Sequence, residues 1–246
     1  MASIPSSALA GAAVSAFALA DIVEACAARL PLAAGAALAA RRVCAGVRRV
    51  GAPRIGSRED VAALGATLVA ALQAAARATP ADDAATLLYE AAAGASVAYP
   101  ITASPVLTRE YALARALAAG VEAACLVEAF LAEARSDFPD RVSATQARAR
   151  IDAALTQAYD RIAGALGAEV AEALASVARE TAGHLAQVAT ALRPAVRVEA
   201  GRSAPSTALA WALYGDPQRA PDLLARARCG TPLFMPPRFE ALAPEA

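Results

Sequence analysis

The sequence contains no lysine; all 23 basic residues are arginine, and 23 acidic residues balance them to a net charge of zero. It holds one histidine, one tryptophan, two methionines and four cysteines in 246 residues, and aromatics make up 4%. Each shortage removes a class of function. Without lysine there is no Walker-type phosphate loop, and no G-x-G-x-x-G follows a strand-like segment. A neutral chain lacks the basic surface that releases counterions from nucleic acid, so no specific nucleic-acid binding is expected. Cys26, Cys44, Cys125 and Cys229 form no C-x-x-C pair, and His184 alone cannot complete a metal site with them. They read as reduced, alanine-like core residues, with a Cys26–Cys44 disulfide as the alternative. His184 lacks a nucleophile motif beside it and reads as a partly buried structural residue. No catalytic, cofactor or metal site is expected, and a non-enzyme is the default.

What is abundant is alanine, roughly three residues in ten, which loses no side-chain entropy in a helix. Few aromatics leave the core to Leu, Val, Ile and Ala. Alanine seams let helices approach closely but bury little area each, so partner surfaces are expected to complete the fold. The apolar run Ala8 to Ala20 resembles a signal-peptide core but has no preceding positive charge. It meets Asp21, Glu24 and Arg29 at helical spacing, and so reads as a buried or partner-facing helix too short for a membrane span. "RRVCAGVRR" (Arg41 to Arg49) reads as a solvated helix face plus a loop.

Punctuation divides the chain. Helices are predicted from about Ser7 to Leu30, and from Pro31 until Gly51-Ala52-Pro53. A third begins at the capping-box-like "SRED" (Ser57 to Asp60), with Val61, Leu64, Leu68 and Leu72 on one face. Thr79-Pro80 reads as N-cap and first residue of a fourth, with Asp82 and Asp83 in its first turn. "YPITASP" (Tyr99 to Pro105) is a break, and Ser104-Pro105 starts a fifth helix reaching about Arg135. "SATQ" (Ser143 to Gln146) is a capping box for a sixth, Gly167 interrupts, and a seventh follows until Pro194. Glu122, Glu128 and Glu133 read as exposed-face residues.

After Pro194 the texture changes, and eight of the fifteen prolines lie from there onward. "AVRVEA" (Ala195 to Ala200) alternates as a short strand does. Ser206 can cap a short helix to Tyr214, Gly215-Asp216-Pro217 is a turn, and "RAPDLLARAR" is a second short helix. "PLFMP" and "RFEAL" are extended pieces beside Pro236-Pro237, suited to a small sheet. The fold class is mainly α: an alanine-rich bundle of long helices over 1–193, with a possible sub-boundary near 99–105, then a small β-α-α-β module over 194–246. Its expected core is Trp211, Leu213, Leu223, Leu224, Phe234 and Phe239.

The stretch "LAWALYGDPQRAPDLLARARCGTPLFMPPRFEAL" resembles the C-terminal end of the Mu-like phage DNA-circularisation family. The resemblance rests on Leu209, Ala210, Leu213, Tyr214, Gly215, Asp216, Arg219, Ala220, Leu223, Ala225, Arg226, Pro232, Phe234 and Pro236, with Asp222 at an acidic position. The order and the Y-G-D turn are also similar to LysM-type modules. More weakly, "FPDRVSATQARARIDAAL" is similar to the family's middle region, whereas the family's N-terminal domain has no counterpart here. Ala227 and Thr231 stand where the family carries Asn and His, which argues against glycan binding.

The resemblance implies a structural protein of the virion, at the distal tail or baseplate hub. Its implied partners are hub, spike, tube or tape-measure proteins, in a symmetric homo-oligomer, with residence in the host cytoplasm during assembly. Trp211, Leu213, Tyr214, Gly215, Asp216, Leu223, Phe234 and Phe239 would form the core and docking surface of a LysM-like module. A peptidoglycan-binding protein and a cytosolic tail-assembly adaptor or chaperone are the alternatives.

Overall fold

The computed structural model describes residues 4–244. Its long helices are α1 (Ser6–Arg29), α2 (Ala34–Gly46), α3 (Arg58–Arg77), α4 (Ala81–Ala95), α6 (Ala112–Arg135), α7 (Arg141–Leu166) and α8 (Ala168–Ala191), with a short α5 (Pro105–Glu110) before α6. The C-terminal part follows as β1 (Ala195–Glu199), α9 (Ser206–Tyr214), α10 (Ala220–Ala227) and β2 (Arg238–Leu242). The fold is mainly α, and the β-α-α-β order after Pro194 is the one the sequence pattern predicts.

Two compact units share these elements. One runs to Asp137 and resumes over Arg148–His184; the other comprises Phe138–Ala147 and Leu185–Ala246. The second unit therefore takes in the start of α7 and the end of α8, where the sequence reading drew its line at 193/194. The reason is local bonding. The Arg141 amide donates to the Arg193 carbonyl at 3.1 Å, and its Nε donates to the Ala189 carbonyl at 3.0 Å.

In the first unit α6 is the central helix, packed against α1, α3 and α4. Its buried residues include Leu117, Ala118, Val121, Cys125, Phe130 and Ala132, and they surround the helix rather than marking one stripe. The face of α1 at Ala8, Ala12, Ser15, Leu19, Val23 and Cys26 is buried. Ser15 lies in this seam because its hydroxyl donates to the carbonyls of Ala98 (2.6 Å) and Ala114 (3.2 Å). A Cβ on Gly11 would stand 2.5 Å from the Tyr111 ring. At Tyr111 (ψ 13°) the predicted fifth helix divides into α5 and α6. The missing side chain at Gly11 is what lets α1 cross this joint.

α1 extends the apolar run well beyond thirteen residues. Over 18 residues its mean hydropathy is 1.7, and that of α3 is 1.3. By length and composition alone, both are long and apolar enough to cross a membrane, and the core helix of a soluble protein passes the same test.

Helix starts show where local codes hold. Ser57 Oγ accepts from the Asp60 amide (3.1 Å), and the Asp60 carboxylate accepts from the Gly56 amide (2.9 Å), so the predicted cap of α3 forms. Thr79 does not cap α4. Its hydroxyl donates to the Ala75 carbonyl (2.9 Å), it is buried, and Pro80 precedes the helix. Ser143 does not start α7 either: Asp140 Oδ1 accepts from both the amide (2.8 Å) and the hydroxyl (2.9 Å) of Ser143. Ser206 is the first residue of α9, not its cap, and its amide donates to the Pro232 carbonyl (2.7 Å). α2 begins three residues after Pro31. Beyond Gly46 the chain widens into a π turn, Val47–Gly51, where Arg48 reaches Asp21 (2.6 Å) and Glu24. Part of the basic run is thus neutralised by α1.

Candidate functional site

The sequence points to the Tyr214-Gly215-Asp216 turn, and the structure shows how it is built. Gly215 ends α9 in the left-handed conformation, φ 68°, and its amide donates to the Trp211 carbonyl at 2.8 Å. Asp216 Oδ1 accepts from the Gln218 amide (2.9 Å), which caps a short 3-10 turn at Pro217–Arg219. The Tyr214 hydroxyl donates to the Leu242 carbonyl (3.1 Å), and the Arg219 guanidinium lies 4.1 Å above the Tyr214 ring. The Gly215 amide, one Asp216 carboxylate oxygen and the Tyr214 hydroxyl are thus each bonded within the module. Gly215→Val should cost about 1–2 kcal/mol, because a β-branched residue is strained at this φ. A Cβ there would meet only open space, so Gly215→Asn, which tolerates the conformation, should be nearly neutral. Thermal unfolding of both variants checks this.

The core of the second unit is Leu223, Phe239, Met235, Ala210, Ala220 and Ala241, with Leu213, Tyr214 and Leu224 packed against it. Trp211 and Phe234, expected in that core, are 64% and 68% exposed, beside Leu233 at 61%. The causes are local. From Ala208 onward α9 (STALAWALY) is apolar on every side, so its periodicity selects no face; Ser206 and Ala210 are the residues turned inward. In the extended segment, Met235 bridges Ala204 and takes the buried position, which turns its neighbour Phe234 outward. The sequence reading omitted Met235: Leu233, Phe234 and Met235 form an unbroken apolar run between Pro232 and Pro236, which gives no alternating signal.

A depression of about 850 Å³ lies in the second unit against Pro139, Asp140, Arg226, Arg228 and Glu240. Within it Arg226 pairs with Asp140 at 2.8 Å. Burial pushes the Asp140 carboxyl up, but hydrogen bonds from Ser143 and Arg226 outweigh it and hold the group below its ordinary value of 3.8. The sign follows: the stabilisation from this depressed carboxyl is fully present above 3.8 and is lost as pH falls through the lower folded value. Asp140→Ala should remove both the α7 cap and the Arg226 pair, costing about 2 kcal/mol at neutral pH. The difference from the parent should shrink on acidification, which unfolding at a series of pH values would show.

In the first unit, Glu122, Glu128 and Glu133 are not on an exposed face. They are 2%, 1% and 2% exposed within α6. The arginines that compensate them come from elsewhere in the chain, which is why helix periodicity missed them. Arg161 grips Glu122 with two bonds (3.1 and 2.5 Å), Arg150 grips Glu133 with two (2.8 and 3.0 Å), and Arg77 reaches Glu128 at 3.1 Å. A groove of about 410 Å³ runs past Tyr89, Ser96, Glu122, Gln157 and Arg161. The buried Tyr89 hydroxyl makes no hydrogen bond, and burial raises its pKa. These groups are ion-paired or neutral; no nucleophile with an adjacent base is among them.

All four cysteines are free thiols, and the Cys26–Cys44 alternative does not form. Burial pushes Cys26 and Cys44 up to about 11 and raises Cys125 as well, which keeps the thiolate scarce. His184 is exposed rather than partly buried. Among the described residues no group of three or more His, Cys, Asp or Glu could hold a metal ion. No known family model matches the chain, and no curated protein matches it.

Proposed function

We propose that the chain is a structural protein of a phage or phage-derived tail, near the distal end or baseplate hub, and that it works by docking rather than catalysis. The observation that carries this reading is the pair of large aromatic side chains, Trp211 and Phe234, held out from a small β-α-α-β module that has its own buried core. Exposed aromatics on a rigid support are the usual anchors of protein interfaces. The sequence resemblance over 209–242 supplies the kind of assembly, with hub, spike, tube or tape-measure proteins as partners. The alanine-rich helices suit packing into a symmetric particle, because small side chains let neighbouring backbones approach closely.

The test is direct. Mass spectrometry of purified tail particles should find this chain, and particles lacking it would refute the reading. Trp211→Ala with Phe234→Ala should leave the melting temperature within about 2–4 °C, as expected for exposed positions, yet lower incorporation into particles more than tenfold. Binding to purified sacculi that is lost in the same double variant, with incorporation unchanged, would favour a wall-binding role instead.

A further inference from the structure

The two-stranded sheet of the second unit has one covered edge and one open edge. β1 and β2 are antiparallel, with Val196 opposite Ala241, Arg197 opposite Glu240, Val198 opposite Phe239 and Glu199 opposite Arg238. The Ala243 amide donates to the Pro194 carbonyl (3.0 Å), and the Ala200 amide donates to the Pro237 carbonyl (2.8 Å). Antiparallel bonding alternates, so Pro194, Val196, Val198 and Ala200 bond towards β2. Ala195, Arg197 and Glu199 therefore turn their N–H and C=O groups to the other side. Among the described residues those groups have no hydrogen-bond partner. The outer edge of β2 differs: α10 packs against that strand, and Tyr214 bonds the Leu242 carbonyl.

The two faces of the sheet are equally distinct. Phe239 and Ala241 are buried and Val198 packs on the core, whereas Arg197, Glu199, Arg238 and Glu240 are exposed on the opposite face. On that face the charges alternate: Glu199 pairs with Arg238 at 3.2 Å, and Arg197 stands opposite Glu240.

We propose that the open edge of β1 pairs, antiparallel and about a two-fold axis, with β1 of a second copy of this chain. Charge selects the occupant and the register. With Val198 opposite its own copy, Arg197 faces Glu199 of the second copy, and Glu199 faces its Arg197. Both residues carry outward-directed backbone groups, so the two pairs would form about four backbone hydrogen bonds. The solvated face then carries an unbroken alternating row across four strands: Arg238, Glu199, then Arg197 and Glu240 of the second copy. The symmetric row runs beside it. A shift by two residues would set Arg197 on Arg197, which like-charge repulsion opposes. A slip by one would mismatch both the bonding groups and the faces. Edges that block association commonly carry a uniform charge such as lysine; this one carries both signs at complementary positions. Five residues of strand make a small interface, so the association is weak and depends on concentration.

Sedimentation velocity on the full chain over a concentration series tests the proposal. The parent should pass from monomer to dimer as concentration rises. Arg197→Glu sets Glu against Glu, and Glu199→Arg sets Arg against Arg, so each alone should self-associate about tenfold more weakly. An equimolar mixture of the two variants restores both opposite-charge pairs and should dimerise again. Arg197→Pro removes an outward N–H that makes no bond to β2, and it should abolish the dimer while the far-ultraviolet circular dichroism stays that of the parent. A parent that is monomeric throughout, single variants that associate like the parent, or a mixture that stays monomeric would each overturn the proposal. None of these outcomes bears on the tail reading, which stands or falls on the composition of the particle.

Discussion

Phe130→Ala is expected to destabilise the helical unit by about 3–5 kcal/mol, the usual cost of emptying a large core site. Phe130 is fully buried in the C-terminal third of α6 and heads the largest such side chains among the described residues. Its ring packs 6.3 Å from that of Tyr89, tilted by 54°, within the centroid range in which aromatic pairs attract. Two features push the effect towards the top of the range. The surrounding helices are lined with alanine, whose single methyl cannot swing into a hole. The chain also has few aromatics, so a fully buried one supplies a large share of the core. Against a typical total of about 5–15 kcal/mol, the loss is large enough to be read directly as an earlier midpoint in urea. A change below about 1 kcal/mol would mean that the helices close over the cavity.

The second large effect is electrostatic. Arg161→Met should cost about 2–3 kcal/mol, because it strands the Glu122 carboxylate inside the bundle without its two charge-assisted hydrogen bonds. The usual penalty for breaking a buried pair is about 3–5 kcal/mol. It is reduced here because the guanidinium side chain is 40% exposed and water already screens part of the pair. The mirror change separates burial from attraction. Glu122→Leu with Arg161→Met replaces the pair by apolar groups of similar size and should recover most of the loss. If the double variant is as unstable as Arg161→Met alone, the cost lies in packing against the arginine stem and not in the stranded charge.

These two sites also show how much was legible beforehand. That α6 is a helix follows from its composition. That it is the central one, with Glu122, Glu128 and Glu133 inside, does not, because a glutamate in a helix reads as surface until its arginine is known. Those arginines lie 39, 51 and 17 residues away along the chain. The candidate site divides in the same way. Tyr214, Gly215 and Asp216 form the expected turn, and Leu223 and Phe239 the expected core. Trp211 and Phe234 stand on the surface, because a short helix apolar all round from Ala208 onward and a proline-flanked extended piece carry no phase.

What the sequence alone determined are features written within four or five residues: the helices, the Ser57 cap, the left-handed Gly215 and the β-α-α-β order. Each is set by backbone sterics or by a hydrogen bond to a near neighbour. The tertiary structure alone decided which carboxylates went inside, which aromatics stayed out, that Asp140 rather than Ser143 caps α7, and which strand edge stayed open. Those outcomes depend on partners far along the chain, and burial is a competition among all the surfaces that reach the same space.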